Sequence, residues 1–123
     1  MNNLKIYCLC IHDELLDKVE KLGYLPVGLG QNNYKKGWIR DDIGKNISHK
    51  NKYYGEYTFH YWLWQNKMEI FNEKDWIGFC AYRRFWLNEK NNDNKNLKFK
   101  DRILHRVPKL WEDYQVILGD QIY

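Results

Sequence analysis

Residues 51–86, NKYYGEYTFHYWLWQNKMEIFNEKDWIGFCAYRRFW, join an aromatic helical pattern to an apolar strand that runs directly into two arginines. Tyr54, Tyr57, Tyr61, Trp64 and Met68 follow three- and four-residue steps, which predicts a helix with that stripe turned to the core. Asn51 is a cap residue by type, and Gly55 is a poor helix former that a close packing contact would explain. Asn72 to Asp75 reads as a turn. Trp76 to Cys80, WIGFC, then reads as the central strand of a sheet. Tyr82, Arg83 and Arg84 would therefore stand at its carboxyl end, where open α/β sheets bind ligands.

The elements upstream and downstream repeat this alternation. Leu4 to Ile11, LKIYCLCI, is a nearly continuous apolar run and reads as a strand covered on both faces. Leu15, Leu16, Val19 and Leu22 mark one face of a following helix, with Asp13 and Glu14 at its positive end and Gly23 as its stop. Leu25 to Leu29 is a second, short strand. There Pro26 suits an edge or a strand start, and Gly28 and Gly30 suit a turn or a close backbone approach. Residues 31–50 read as a long polar loop, and Leu87 to Asn96 as an exposed Asn-rich one. Lys100 to Glu112 is weakly helical around Pro108, and Tyr114 to Leu118 reads as a last strand. The predicted class is α/β, with a mainly parallel sheet and flanking helices.

Composition narrows the function classes. A chain of 123 residues accommodates one domain. A net charge of +4 favours anionic ligands but falls short of the basic stripe of a dedicated nucleic-acid binder, so no nucleic-acid partner is expected. Six Trp and ten Tyr exceed what one small core absorbs, so some rings are expected to face a sugar, a partner or a membrane interface. No apolar run reaches membrane-spanning length and no signal peptide is legible. Cys8, Cys10 and Cys80 sit in apolar runs, as reduced thiols of a cytoplasmic protein would. Cys8 and Cys10 share a strand face, without the spacing of a zinc site. The phosphate-binding P-loop, the dinucleotide fingerprint and the nucleophile elbow are all missing from the sequence.

Several residues bear on chemistry at the strand ends. Arg83 and Arg84 present planar forks suited to a diphosphate. Alternatively, as successive strand residues, one pairs with a carboxylate at the core edge and the other faces water. Asp41 and Asp42 have carboxylate oxygens fit for magnesium or manganese, for a ribose, or for plain solvation. Asn46 and Ser48 are ligand hydrogen-bonders or the lead-in to the helix. Glu56 and His60 share a helix face, either poising a histidine near neutral pH or forming a surface pair.

The ordered series of these residues resembles the bacterial DUF4422 family, found in capsule and lipopolysaccharide synthesis loci and regarded as GT-A-type glycosyltransferases. Asp42, Gly44, Asn46, Ile47 and Ser48 match its D-x-G-x-N-I-S loop. Tyr61, Trp62, Trp64 and Asn66 match its YW-x-WKN helix end, and Gly78, Cys80, Tyr82, Arg83, Arg84 and Phe85 match its G-x-C-HYRR-aromatic strand end. Two positions depart from the pattern: Ala81 stands where the family has histidine, and Gln65 where it has lysine.

The resemblance implies a GT-A-like, Rossmann-like nucleotide-sugar half domain over residues 1–123, truncated at its carboxyl end. Its implied activity is sugar transfer from a nucleotide diphosphate donor to a cell-surface glycan acceptor, in the cytoplasm at the inner face of the bacterial membrane. A non-catalytic nucleotide-sugar-binding remnant is the alternative. Tyr82, Arg83 and Arg84 would take the diphosphate, Asp42 and Asn46 the ribose or a Mn or Mg ion, and His12 and Gly28 would lie near the nucleotide. An open sheet edge would favour homo-oligomers, and peripheral membrane contact fits the Lys and Trp content.

Overall fold

In a computed structural model of the chain, residues 3–88 and 96–119 are described. Four strands form one sheet: β1 (Leu4–Cys10), β2 (Leu25–Gly28), β3 (Ile39–Arg40) and β4 (Trp76–Ala81), in the order β3-β2-β1-β4 with every pairing parallel. β1 is central and pairs along its length with β4, from Leu4 opposite Trp76 to Leu9 opposite Ala81. Parallel neighbours need crossovers, and the two main ones lie on opposite faces. α1 (Leu16–Lys21) covers one face; α3 (Tyr57–Asn66) covers the other, and the short α2 (Asn51–Tyr54) leads into it.

The two faces of β1 show why its sequence is continuously apolar. Ile6, Cys8 and Cys10 pack with Leu16, Val19, Leu22 and Tyr24, while Tyr7 and Leu9 pack with Phe59, Trp62 and Leu63. Ile103 and Leu104, just after the short helix α4 (Phe99–Arg102), complete the first cluster, and the Tyr24 hydroxyl donates to the Leu104 carbonyl at 2.8 Å. Cys8 and Cys10 do share a face, with sulfurs 3.9 Å apart. The hydrogen bond with Cys10 lowers the Cys8 thiol, but the neighbouring Cys80 and burial outweigh it and push it up to about 12. Contact with Cys8 and burial push Cys10 higher still. These are protonated core thiols.

Four expectations are corrected. β3 lies inside the segment read as loop, because a two-residue strand leaves no periodicity to detect. Tyr114 to Leu118 is not a strand: the segment is unpaired among the described residues, with Val116 and Leu118 exposed. Trp76 to Cys80, read as the central strand, lies in β4 at the edge of the sheet among the described residues, and β1 takes the inner place; the weakly helical reading of Lys100 to Glu112 does hold, in α4 and in the turn Lys109–Trp111 that Pro108 starts. The aromatic stripe of the helix faces outward. Tyr54, Tyr57, Trp64 and Met68 are exposed, and the buried face is Thr58, Phe59, Trp62 and Leu63. The polar reading of residues 89–95 lies outside the described residues.

Asn51 is not an amino-terminal cap either. A helical turn at Ser48–Lys50 precedes it, and its amide donates forward to the Gly55 carbonyl at 2.8 Å and to the Thr58 hydroxyl at 3.1 Å. Gly55 separates α2 from α3 with φ +56° and ψ −130°, and nothing approaches within 4 Å of where its Cβ would be. Backbone conformation, not packing, therefore requires this glycine. Gly55→Ala in a continuous helix would stabilise; here it is expected to destabilise by about 1–3 kcal/mol, read as a lowered urea midpoint.

Candidate functional site at the carboxyl edge of the sheet

Parallel pairing brings all four carboxyl ends to one edge of the sheet. β2 and β3 lie to one side of β1 and β4 to the other, so the crossover direction reverses between β1 and β4. Such a reversal opens a crevice in doubly wound sheets. His12, two residues beyond β1, meets Tyr82, one residue beyond β4, edge to face at a centroid separation of 5.4 Å. The Arg83 guanidinium lies over the Tyr82 ring, 5.0 Å from its centroid.

β4 ends at Ala81, and the chain then folds into a tight turn in which the Arg84 amide donates to the Ala81 carbonyl at 3.0 Å. The two arginines thus belong to a turn and do not alternate across a strand. Both are exposed, and among the described residues no carboxylate lies within ion-pair distance of either. His12 has only a long contact with Glu14, 3.9 Å between two exposed side chains, which is weak in water. His12, Tyr82 and Arg83 are therefore brought together, with Arg84 in the same turn, as a group of donors and cations suited to an anion.

The β3 side of the edge is different. Gly28 is a close-approach glycine whose partner is protein: the Tyr34 ring occupies the place of a side chain, 2.6 Å from an ideal Cβ, and its hydroxyl donates to the Leu29 carbonyl at 2.6 Å. Asp42 pairs with Arg40 at 2.6 Å. Asn46 serves its own loop, its amide donating to the Gly44 carbonyl and its oxygen accepting from the Ser48 amide. Three strand spacings of about 4.8 Å, roughly 14 Å, separate this end of the edge from β4.

Asp41, fully buried, holds the region together. One carboxylate oxygen accepts from the Gly30 amide at 3.0 Å and the Ser48 hydroxyl at 2.8 Å; the other accepts from the Thr58 hydroxyl at 2.5 Å. Trp62 donates its indole N–H to the Ile43 carbonyl at 2.6 Å, and the Asn66 amide bridges the Lys45 backbone to α3. Residue type alone leaves Asp41 and Asp42 as a pair, and the resemblance singles out Asp42 without giving Asp41 a role. The distinguishing signal was Thr58, a β-branched polar residue flanking Phe59 on the apolar side of a helix, which requires a buried partner. Arg40 and Tyr34 were missed as well.

A divalent cation does not fit this donor set. Both Asp41 oxygens are engaged, one Asp42 oxygen is held by a guanidinium, and among the described residues no three His, Cys, Asp or Glu side chains converge. His60 is no surface histidine: it packs edge-on against Phe79 at 4.2 Å, and burial lowers its pKa against the opposing charge of Glu56.

The chain is thus an α/β domain with a four-stranded parallel sheet between helices. It belongs to the family described as Domain of unknown function (DUF4422), whose model matches residues 5–123. No curated protein and no solved structure matches the chain.

Asp41→Ala would strand three buried donors and is expected to cost about 3 kcal/mol. In hydrogen exchange, residues 42–48 should lose protection before β1 does. Equal protection of that loop in the variant would contradict the role assigned to Asp41.

Proposed function

We propose that this protein binds a nucleotide diphosphate sugar at the crevice between β1 and β4 and transfers the sugar to a surface glycan. The observation that carries the reading is the meeting of His12, Tyr82 and the uncompensated Arg83–Arg84 turn at the reversal point of a parallel sheet. Two guanidinium forks would neutralise the diphosphate in the donor and again when it departs as leaving group, the task a metal ion performs elsewhere. Tyr82 would then hold Arg83 in place by its ring face.

Across the edge, one Asp42 oxygen and the Arg40 Nε are buried without a hydrogen-bond partner among the described residues. In this reading the ribose lies at that end of the edge. The separation of roughly 14 Å suits an extended nucleotide lying along the strand ends.

A site at the membrane surface fits the outer face of the helices. Tyr53, Tyr57 and Trp64 are 80%, 67% and 63% exposed, and α3 contains no charged residue. Lys50, Lys52 and Lys67 flank this face. Amphipathic rings beside lysines match the headgroup layer of an anionic bilayer.

Calorimetric titration with uridine and guanosine diphosphate sugars tests the donor site. Binding is expected for the intact chain, with an affinity loss of at least about a hundredfold in Arg83→Ala/Arg84→Ala, as for two charged hydrogen-bonding groups. Unchanged affinity in that variant would remove the diphosphate assignment. Sedimentation with phosphatidylglycerol vesicles tests the membrane face: retention should fall in Tyr57→Ser/Trp64→Ser, and equal retention would exclude it.

A further inference from the structure

The outer side of β4 has no strand beside it among the described residues and opens onto a groove of about 1010 Å³. That volume lies at the upper end of small-ligand sites. Three tryptophans line it: Trp76 at the start of β4, Trp86 just beyond the arginine turn, and Trp111 in the last helical turn. The Trp111 ring lies 5.7 Å from Trp76 and 6.0 Å from Trp86, with planes at 48° and 72°. Trp86 is pinned by its N–H, which donates to the Phe79 carbonyl at 2.9 Å. Neither Trp76 nor Trp111 uses its indole N–H within the described chain, although both rings are half-buried.

The polar lining is as informative. Glu73, Asp75 and Glu112 outnumber Lys74 in the groove, although the whole chain is basic. The carboxylates of Glu73 and Glu112 form no ion pair among the described residues. An anion would be repelled here, and a purely apolar ligand would desolvate carboxylates without replacing their hydrogen bonds. The ligand class that satisfies both features is neutral, with flat C–H faces for the indoles and hydroxyls for the carboxylates and indole N–H groups. We propose that this groove binds a glycan. On the transferase reading, which this last step rests on, that glycan is the acceptor, held along β4 while the donor sits at the carboxyl edge.

The intact chain is titrated with maltohexaose, cellohexaose and N-acetylated chitohexaose, following tryptophan fluorescence and heat. Saturable binding of at least one is expected, weakened about tenfold or more in Trp111→Ala and in Glu112→Gln, a surface substitution that leaves packing intact. Arg83→Ala/Arg84→Ala and Trp64→Ala should bind the glycan normally, so failure of the donor reading and failure of this one are distinguishable. Absence of saturable binding by all three hexasaccharides would overturn the proposal, as would full affinity in both groove variants. A dimer in sedimentation that Ile77→Pro abolishes would assign the groove to strand pairing with a second copy, and would equally overturn it.

Discussion

A carboxylate buried without a cation near it is costly, and the fold around Asp41 is arranged to offset that cost with donors. Its three donors come from three places far apart in sequence: the turn after β2, the loop after β3, and the first turn of α3. Each is a glycine amide or a hydroxyl residue. Gly30 must also hold φ at +72°, with Asn51 packed 3.3 Å from where its Cβ would lie. β3 is two residues long and could not hold its place by ladder bonds alone. The carboxylate that follows it supplies the missing anchorage.

This changes what the loop and helix motifs mean. Of the residues that resemble the family pattern, Ser48 contacts Asp41, Trp62 and Asn66 pin the loop backbone, and Asn46 and Gly44 shape the loop itself. Gly44 has φ +74° with the Asn66 amide against it. They form a frame. Asp42 stands apart from the frame, with one oxygen on Arg40 and the other without a hydrogen-bond partner among the described residues.

Sequence legibility followed element length and the contrast between faces. β1, β2 and β4 were readable as short apolar runs bounded by glycine or polar residues, and α1 by its Leu and Val face set against a charged one. α3 defeated periodicity because YTFHYWLWQN is ring-rich on every side, so a stripe through Tyr57, Tyr61 and Trp64 scored as well as the true core face through Thr58, Phe59 and Trp62. A helix of that composition is expected to be buried all round, and this one is not. YQVIL misled for the opposite reason. Its β propensity is real, but a strand requires a partner, and propensity contains no information about whether one is adjacent. His12 and Tyr82 do stand just beyond the ends of β1 and β4, yet their meeting could not be read, since it depends on strand order.

Strand order and turn geometry also bear on Ala81, where the family pattern has histidine. The turn is held by the hydrogen bond from the Arg84 amide to the Ala81 carbonyl, and the Arg83 guanidinium lies over the Tyr82 ring that also meets His12. Neither contact uses the side chain at position 81. A histidine there is therefore not needed to hold the turn or to seat the Arg83 guanidinium. On the proposed donor reading, charge neutralisation at this strand end therefore does not depend on the side chain at position 81.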